Sequence, residues 1–423
     1  MNNNNTTYKD SPLGKIPCDW EVIKISDYGK VYTGNTPPTN DIENYGHEFL
    51  FVSPTDLGSD KYILNTKKKL SKKGFSISRK FPLGSVLFTC IGSTIGKSGI
   101  ASVELTSNQQ INAIVVDKKY SNEFLYYALE NNSDKIKLLA GEQAVPILNK
   151  SQFESVRIIC PPLPEQKAIA HVLGLMDSAI NTNNQLIAKK ELQKKWLMQK
   201  LLTGKKRLKG FENNWKEVQL KNAFHFLKSY SISREGLSKE TGNQFCIHYG
   251  DIHASYETDF LDFKTQKNIP RIVDENYYIQ SKDYLKDGDI LIADASEDYK
   301  GVGEAIVVIN LEKRAAVGGL HTIVLRDNSG ETESIFRGYL FASESVRNKL
   351  RTKATGTSVY SVTKNTLESL TLSLPPVNEQ KAIAKVLQAA DKEIKLLKAK
   401  TEKLREQKKG LMQVLLTGKI RLI

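Results

Sequence analysis

The chain has few cysteines, and they are widely separated. Cys18, Cys90, Cys160 and Cys246 are the four in 423 residues, and none has a partner at a short, regular spacing. This excludes a disulfide framework and argues against a zinc site built from paired cysteines. We expect thiols that are buried or without a role.

Long apolar runs are also missing. No stretch approaches the roughly 18 to 20 apolar residues that a membrane span requires, and the start, "MNNNNTTYKD", lacks the basic-then-apolar order of a signal peptide. We therefore expect soluble domains in the cytoplasm and no membrane partner. A length of 423 residues predicts two or three domains.

Familiar catalytic and metal-binding motifs are absent as well. The sequence contains no His-Glu-x-x-His, Cys-x-x-Cys or Gly-x-Ser-x-Gly. "KGVGEA" at Lys300 lacks the third glycine of a dinucleotide-binding loop. These absences favour a binding module over an enzyme, and we expect no catalytic residue, metal or cofactor in this chain.

One stretch, "GSTIGKS" from Gly92 to Ser98, resembles a phosphate-binding loop. Such a loop needs four residues between its first glycine and the Gly-Lys pair, but only three separate Gly92 from Gly96. We interpret the stretch as a variable turn. Ser93 and Lys97 then face either a ligand or solvent.

The positive charge is concentrated in two segments. The net charge is +14, and residues 161–208 carry nine Lys/Arg against three Asp/Glu, while residues 375–423 carry twelve against five. A basic balance favours a polyanionic partner such as nucleic acid. Because the rest of the chain is almost neutral, any DNA contact outside these segments must depend on local patches.

These two segments are copies of each other. "PPLPEQKAIAHVLGLMDSAI" from Pro161 returns as "PPVNEQKAIAKVLQAADKEI" from Pro375, and "LMQKLLTGKKRL" returns as "LMQVLLTGKIRL", both at an offset of 214. The constant offset predicts a rigid element of fixed length. Pro-Pro at the start, glutamate in the first turn and glycine at the end predict a long helix, about 58 Å from Glu165 to Thr203.

Each predicted helix carries one apolar stripe at heptad spacing. The stripe predicts that the two helices pair with each other, although two separate helices on separate domains is the simpler alternative. The pairing positions are Ile169, Leu173, Met176, Ile180, Ile187, Leu197 and Leu201 in the first copy and Ile383, Leu387, Ile394, Leu397, Leu404, Leu411 and Leu415 in the second.

Polar residues interrupt the first stripe at Asn183, Lys190 and Lys194. They either set the register of the pair or contact something outside it. The lysines on the helix faces (Lys189, Lys190, Lys194, Lys195, Lys395, Lys398, Lys403, Lys408 and Lys409) are either solvated or face an acidic partner or DNA phosphate.

The segments before each helix correspond loosely. Asp56 and Asp251 keep an offset of 195, Gly84 and Gly288 an offset of 204. The growing offset places insertions in loops of the second copy while short apolar runs stay in register as strands. "GSTIGKSGIA" corresponds to "SEDYKGVGEA", which has no Gly-Lys-Ser, and "SNQQINA" corresponds to the stretch containing "GGLHT".

With both copies of "PPxxEQKAIA…LLTG" and the Gly-x-[Val/Ile]-Leu strands, the chain resembles the DNA-specificity subunits of type I restriction-modification enzymes over nearly its whole length. The resemblance implies an α+β fold with two β-rich target recognition domains and two long helices pairing as an antiparallel coiled coil, related by a pseudo-two-fold repeat. The expected segments are recognition domain 1 (1–160), helix 1 (161–208), recognition domain 2 (209–374) and helix 2 (375–423).

The resemblance also implies partners. Each recognition domain would read one half of a bipartite, asymmetric site in the major groove of double-stranded DNA, and the helices would fix the gap. Two methyltransferase subunits would methylate adenine with S-adenosylmethionine, and translocating endonuclease subunits would use ATP and magnesium. Those cofactors would belong to the partners.

Candidate DNA contacts follow from residue type. Lysine and arginine bind phosphate, and Gln, Asn, Arg, His and Tyr present groups suited to base edges or nearby backbone. The candidates are Lys67, Lys68, Lys69, Lys72, Lys73, Arg79, Ser93, Lys97, Gln109, Gln110 and Asn112 in the first domain, and Arg234, His248, Tyr249, Tyr299, Lys300, His321 and Tyr360 in the second.

Two rival interpretations remain. A nucleotide hydrolase would use the Gly92 to Ser98 stretch, and a structural coiled-coil adaptor would bind no DNA.

Overall fold

A computed structural model describes residues 7–58, 60–141, 144–256, 259–273, 279–356 and 359–422. The chain divides into two compact units. Unit 1 comprises residues 1–184 and 399–423, and unit 2 comprises residues 185–398. Each unit therefore contains one β-rich domain together with a segment of each long helix.

The strands of unit 1 are short. They are β1 (Tyr8–Lys9), β2 (Ile16–Pro17), β3 (Glu21–Lys24), β4 (Gly29–Thr33), β5 (Tyr45–Gly46), β6 (Phe49–Val52), β7 (Tyr62–Ile63), β8 (Lys68–Leu70), β9 (Lys80–Phe81), β10 (Val86–Thr89), β11 (Ser98–Ala101), β12 (Leu105–Ser107), β13 (Ile111–Val116) and β14 (Arg157–Cys160). The helices are α1 (Ile25–Tyr28), α2 (Lys72–Ile77), α3 (Asn122–Leu138), α4 (Lys150–Ser155) and α5 (Leu163–Leu201), with 3₁₀ turns at Ile42–Asn44 and Pro54–Asp56.

Unit 2 repeats this arrangement. Its strands are β15 (Lys216–Gln219), β16 (Phe224–Leu227), β17 (Leu237–Ser238), β18 (Gln244–Ile247), β19 (Phe260–Asp262), β20 (Arg271–Ile272), β21 (Ile290–Ala293), β22 (Ala295–Ser296), β23 (Ala305–Ile309), β24 (Ala315–Gly318), β25 (Thr322–Asp327), β26 (Tyr360–Ser361) and β27 (Thr371–Leu374). Its helices are α6 (Leu220–Ala223), α7 (Tyr249–Ala254), α8 (Ser334–Ala342), α9 (Glu344–Arg351), α10 (Lys364–Glu368) and α11 (Val377–Leu415), with 3₁₀ turns at Arg234–Gly236 and Ser281–Asp283.

The two units have the same sheet topology. The order β4-β13-β10-β11-β7 in unit 1 matches β16-β25-β21-β23-β19 in unit 2, and β5-β8-β6-β12 matches β17-β20-β18-β24. The first unit extends its second sheet by one further strand, β9. In both units the parallel pairs occur at equivalent places, β11 with β7 and β23 with β19. The α+β fold with two repeated β-rich domains is thus confirmed.

The central strands are apolar on both faces because each is covered on both sides. All four residues of β10 and all four of β21 are buried. Gly84 and Gly288 precede these strands with φ of 85° and 89°, in the left-handed region that glycine occupies without a steric penalty. The Gly-x-[Val/Ile]-Leu pattern therefore marks the same turn and strand in each unit.

The long helices confirm the heptad prediction. α5 and α11 have 39 residues each, and every predicted pairing position is buried or half-buried. In unit 1, Ile169 and Leu173 share a core with Met412 and Leu415. In unit 2 the end of α5 and the start of α11 likewise share a core. Low numbers in one helix meet high numbers in the other, so the helix segments pack antiparallel within each unit.

The lysines that interrupt the stripe contact the opposite helix. In unit 2, Lys190 Nζ lies 2.7 Å from a carboxylate oxygen of Glu393, and Lys194 Nζ lies 2.6 Å from Asp391. Tyr339 donates a hydrogen bond of 2.6 Å to the same Asp391. Because these partners belong to the pair itself, the contacts support the register-setting interpretation of the two lysines.

Unit 1 contains the same arrangement at the equivalent positions. Lys408 Nζ lies 2.9 Å from Asp177, to which Tyr127 donates a hydrogen bond of 2.5 Å. A second carboxylate, Glu130, lies 3.1 Å from Lys408. Burial disfavours the charged amine, but Glu130 and Asp177 outweigh that effect and raise the pKa of Lys408.

A buried glutamate at the start of each long helix binds an arginine and a tryptophan from other parts of its unit. In unit 1, Glu165 is 1% exposed and accepts hydrogen bonds from Trp20 Nε1 at 2.9 Å and from the Arg421 guanidinium at 2.7 Å. In unit 2, Glu379 is 0% exposed and is bound by Arg207 and Trp215. The sequence indicated only a first-turn charge here.

The cysteines are free thiols. Cys18 is exposed, whereas Cys90, Cys160 and Cys246 are buried. Burial raises the pKa of the Cys90 and Cys246 thiols to about 12, which keeps both protonated.

Candidate nucleic-acid interface

One turn occupies the same topological position in both units. In unit 1 it joins β12 to β13 at residues 108–110, and in unit 2 it joins β24 to β25 at residues 319–321. Asn108 N–H donates to the Val52 carbonyl at 3.0 Å, and Gly319 N–H donates to the Ile247 carbonyl at 2.8 Å. These equivalent bonds confirm the alignment of "SNQQINA" with "GGLHT".

The unit 1 turn presents carboxamides. Gln109 is exposed and accepts a hydrogen bond of 2.6 Å from the Thr36 hydroxyl. Gln110 is half-buried and accepts one of 2.9 Å from the Asn108 amide. Both glutamine oxygens are thus held in place, which orients the amide groups at the turn. Neither Thr36 nor Asn108 stands out in the sequence.

Asn112 lies inside the domain. Its side chain is 3% exposed, its amide nitrogen lies 3.2 Å from Cys90 Sγ, and its oxygen accepts a hydrogen bond of 2.7 Å from Thr33. It therefore lies apart from the exposed glutamines of the turn.

The unit 2 turn presents a histidine. His321 adopts φ of 53°, and its side chain is 52% exposed. Its Nδ1 lies 3.1 Å from a carboxylate oxygen of Asp294. The Tyr249 ring meets the imidazole edge-on, with centroids 5.3 Å apart. Burial raises the pKa of Asp294, while the charge of His321 and the hydrogen bond with it act in the opposite direction.

A second strand pair continues this surface. Asp294 N–H donates to the His321 carbonyl at 3.1 Å, and β22, which follows Asp294, pairs with β26. Tyr299 and Tyr360 meet edge-on at 5.4 Å, and the Lys300 carbonyl accepts a hydrogen bond from Arg347. The structure therefore connects Tyr249, Tyr299, Lys300, His321 and Tyr360 through adjoining loops.

Two other candidates in unit 2 are already engaged. Arg234 donates to both oxygens of Asp251, at 3.2 and 2.9 Å, and this contact raises the pKa of the guanidinium. Asp251 also caps α7 by accepting from the His248 backbone N–H. His248 itself is 4% exposed, and burial, followed by the charge of Arg234, lowers its pKa. The arginine remains half-exposed, but the histidine is interior.

A further histidine, His253, is one that sequence reasoning missed. Its Nδ1 lies 2.5 Å from Glu304, and its Nε2 lies 3.1 Å from the Ala295 carbonyl. The hydrogen bond with Glu304 raises the pKa of His253. Histidine at this position fixes the loop that begins with β22. No local sequence pattern marks it, because its partner lies 51 residues away.

The basic stretch of unit 1 forms β8 and α2. Lys67, Lys68 and Lys69 line an open cleft of about 540 Å³ that also includes Tyr45 and His47. Lys67 and Lys68 are exposed, and Lys69 is half-buried. Three cations on one cleft give a positive surface at which phosphate can bind.

The remaining cations of this stretch differ in their surroundings. Lys73 Nζ lies 2.9 Å from Asp41 and 2.6 Å from Glu43, and hydrogen bonds with these carboxylates raise its pKa. Arg79 donates to the Thr33 carbonyl at 2.6 Å, and Lys72 is exposed. The charge of Lys73 is therefore balanced locally.

The "GSTIGKS" stretch is a turn between two strands, β10 and β11. Four of its backbone N–H groups are used internally: Gly92 donates to Pro146, Ile95 to Gly92, Gly96 to Thr89 and Lys97 to Thr94. A phosphate loop needs such groups free and a following helix. The geometry does not suit a nucleotide site. Ser93 and Lys97 are exposed.

Within the described part of the chain, no group of three or more His, Cys, Asp or Glu side chains is placed to hold a metal ion. Nor does any helix among the described residues have the length and apolarity to cross a membrane.

Residues 17–192 and 212–406 each match the family described as Type I restriction modification DNA specificity domain. The MjaVIII specificity subunit of a type I restriction enzyme from Methanocaldococcus jannaschii is 26% identical over 426 residues, covering 96% of this chain and 94% of that protein. The HindI specificity subunit from Haemophilus influenzae is 35% identical over 151 residues, 34% of this chain and 33% of that protein.

Solved structures show the same architecture. A chain from a study of complex assembly and conformational transition in the type I R-M system has a TM-score of 0.63 at 16% identity, covering 96% of this chain and 99% of that one. The S subunit of a type I restriction-modification system from M. genitalium has a TM-score of 0.53 at 14% identity, with coverages of 98% and 97%. At these identities the likeness concerns the fold. Since the two family matches together span most of the sequence, the chain belongs to the type I restriction-modification DNA specificity family.

Proposed function

We propose that this chain is the DNA-reading subunit of a type I restriction-modification complex. It recognises a bipartite site in double-stranded DNA, with one half-site read in the major groove by each unit. The chain itself supplies no catalytic centre. The observation that carries the proposal is the repeated turn, which keeps one backbone position in both units and changes its side chains completely.

The repeated turn suits base reading. Gln109 and Gln110 offer amide donors and acceptors, and His321 offers a ring nitrogen, all of which match groups on base edges in the major groove. Since the turn differs between the units, the two half-sites should differ in sequence, and the complete site should be asymmetric.

The cleft formed by Lys67, Lys68 and Lys69 supplies phosphate contacts for the half-site of unit 1. Phosphate contacts position a protein on DNA without carrying sequence information. We propose further DNA contacts around the two turns. In unit 1 they are the side chains of Lys72, Arg79, Ser93 and Lys97, and in unit 2 those of Arg234, Tyr249, Tyr299, Lys300 and Tyr360.

Family membership supports the partners of this proposal. Two methyltransferase subunits dock on this chain and methylate adenine in each half-site with S-adenosylmethionine, and endonuclease subunits use ATP and magnesium. This chain holds none of those cofactors in the proposal. Its contribution is to place the complex on the correct sequence.

The direct test maps methylated adenines in a host that has no adenine methylation of its own, with this chain co-expressed with its methyltransferase partner. One bipartite motif with a fixed gap, methylated on both strands, is the expected result. An assembled complex that methylates no such motif would refute the proposal.

The phosphate contacts have their own test in the same complex. Replacing Lys67, Lys68 and Lys69 by alanine should weaken DNA binding at every sequence. It should also reduce the salt dependence, by about 0.9 in the log–log slope for each phosphate that the cleft no longer neutralises. Lys73→Ala is the matched control because Asp41 and Glu43 already balance that charge. An unchanged slope in the triple variant would exclude this cleft from the interface.

A further inference from the structure

The paired positions at the turn have changed together between the units. In unit 1, Cys90 N–H donates to the Gln110 carbonyl at 2.8 Å. In unit 2 the equivalent bond, of 3.1 Å, runs from Asp294 N–H to the His321 carbonyl. The backbone contact is the same, but the side chains differ. In unit 1 the buried Cys90 thiol lies beside the Asn112 amide, whereas in unit 2 the Asp294 carboxylate lies beside the His321 imidazole.

The unit 2 turn is held rigidly behind His321. Tyr249 N–H donates to the Leu320 carbonyl at 3.1 Å. A Cβ added to Gly319 would lie 2.2 Å from the His248 ring, so only glycine fits there. His321 itself has a left-handed backbone, with φ of 53°, a conformation that is strained for a non-glycine residue. This backbone aims the imidazole outward, where half of the side chain is exposed.

Asp294 determines which hydrogen-bonding group His321 presents to a ligand. A carboxylate accepts but does not donate, so its contact with Nδ1 requires the proton on Nδ1. The exposed Nε2 of the neutral ring is then an acceptor. In the major groove, the complementary donors are the exocyclic amino groups, N6 of adenine and N4 of cytosine. Guanine O6 and N7 and thymine O4 are acceptors and would face another acceptor, with the charge of Asp294 close behind.

The geometry points to His321, with its tautomer fixed by Asp294, as the residue that reads an adenine or cytosine amino group in the half-site of unit 2. This inference rests on the proposed function. It adds a specific residue, its tautomer and a class of base to it. Asp294 is a positioning residue that acts through the imidazole.

The experiment compares methylation motifs of the wild-type complex with those of three full-length variants of this chain. His321→Ala should relax the motif at one base pair of one half-site, with discrimination falling roughly tenfold. The other half-site and the gap should not change. His225→Ala is the matched control, because this exposed histidine lies on β16, away from the turn.

Asp294→Asn gives the sharper result. A carboxamide can either donate to Nδ1 or accept from it, so the tautomer is no longer fixed and the exposed Nε2 can act as a donor as well as an acceptor. The complex should then accept additional base pairs at the same position, because Nε2 can also donate to guanine O6 or N7 or to thymine O4. A merely structural role for Asp294 would lower methylation at all sites and leave the motif unaltered.

The outcomes separate this inference from the proposed function. A wild-type complex that methylates no bipartite motif overturns the proposed function and this inference with it. A wild-type motif that survives His321→Ala with every position equally discriminated overturns only the inference.

Discussion

Units 1 and 2 share a strand order but differ at the turn that precedes β13 in one and β25 in the other. β13 follows Asn108, Gln109 and Gln110, and β25 follows Gly319, Leu320 and His321. Sheet pairing uses backbone groups that every residue other than proline possesses, so the turn can change its side chains while the strands keep their register. In the proposed function, stability and recognition are therefore encoded at separate positions of the same domain.

The same comparison shows what a repeated structure must keep. Glu165 and Glu379 are both buried and both bind a tryptophan and an arginine, and each of these partners also comes from the repeated sequence. Burying a carboxylate costs free energy unless it is paired and hydrogen-bonded. The buried glutamate therefore requires both its arginine and its tryptophan. Substitutions at such contacts should have the largest effects on stability.

The largest expected effect is at the buried glutamates. Glu379→Ala should lower the free energy of unfolding by about 3 kcal/mol because it leaves Arg207 and Trp215 Nε1 without their carboxylate. Glu165→Ala should cost less, since Arg421 keeps its two hydrogen bonds to Asp19. Urea unfolding of both variants measures the difference.

Glu379→Gln is the control for this prediction, as it keeps an acceptor and the volume and should recover part of the loss. Equal losses for the two alanine variants would show that Asp19 does not compensate.

The next effect concerns the lysines that set the helix register. Lys408→Met should destabilise the protein by about 2 kcal/mol because it leaves Asp177 and Glu130 facing each other without a cation. Lys194→Met should lower the stability less, because Lys194 forms its ion pair with one carboxylate, Asp391, whereas Lys408 lies between two. Thermal unfolding at one ionic strength provides the comparison.

Lys398→Met serves as the exposed control. Its ion pair with Glu191 has side chains 58% and 49% exposed, and such pairs contribute about 0 to 1 kcal/mol. If Lys398→Met lowered the stability as much as Lys408→Met does, burial would not determine the strength of these ion pairs.

The smallest expected effect is a pH dependence of the stability contributed by His253. Only unit 2 should show it. Glu304 raises the pKa of His253 above 6.5, so the stabilisation is complete below the unfolded value of about 6.5 and is lost as pH rises through the folded value. His253→Gln should therefore lower the free energy of unfolding more at pH 6 than at pH 8.5. The equivalent residue in unit 1 is Gly58, which cannot titrate.

Unfolding measured across this pH range tests the prediction. A deficit that is constant from pH 6 to 8.5 would show that the imidazole stabilises the loop without carrying charge.

Much of the fold could be predicted from the sequence. The equal offset of the two helical segments fixed their matched lengths, and the heptad stripe identified which face is buried, since a 3.6-residue period places those positions on one side of a helix. The Gly-x-[Val/Ile]-Leu pattern located the central strands β10 and β21.

The candidate site was less accessible to sequence reasoning. Residue type alone suggested Gln110 and His321, but it also suggested Asn112 and His248, which are interior. It gave no signal for Asp294 or Thr36. Side-chain direction along a strand and the partners of each polar group depend on chain segments that lie 27 to 73 residues away.

The sequence by itself determined the repeat, the helix pairing and the family resemblance, because these depend on local periodicity and on spacing along the chain. Only the tertiary structure decided which polar groups face outward and which partner each one has. The hydrogen bond between His321 and Asp294 and the burial of Glu165 and Glu379 are set by contacts between distant segments, and hydrogen bonding and desolvation act through space rather than along the sequence.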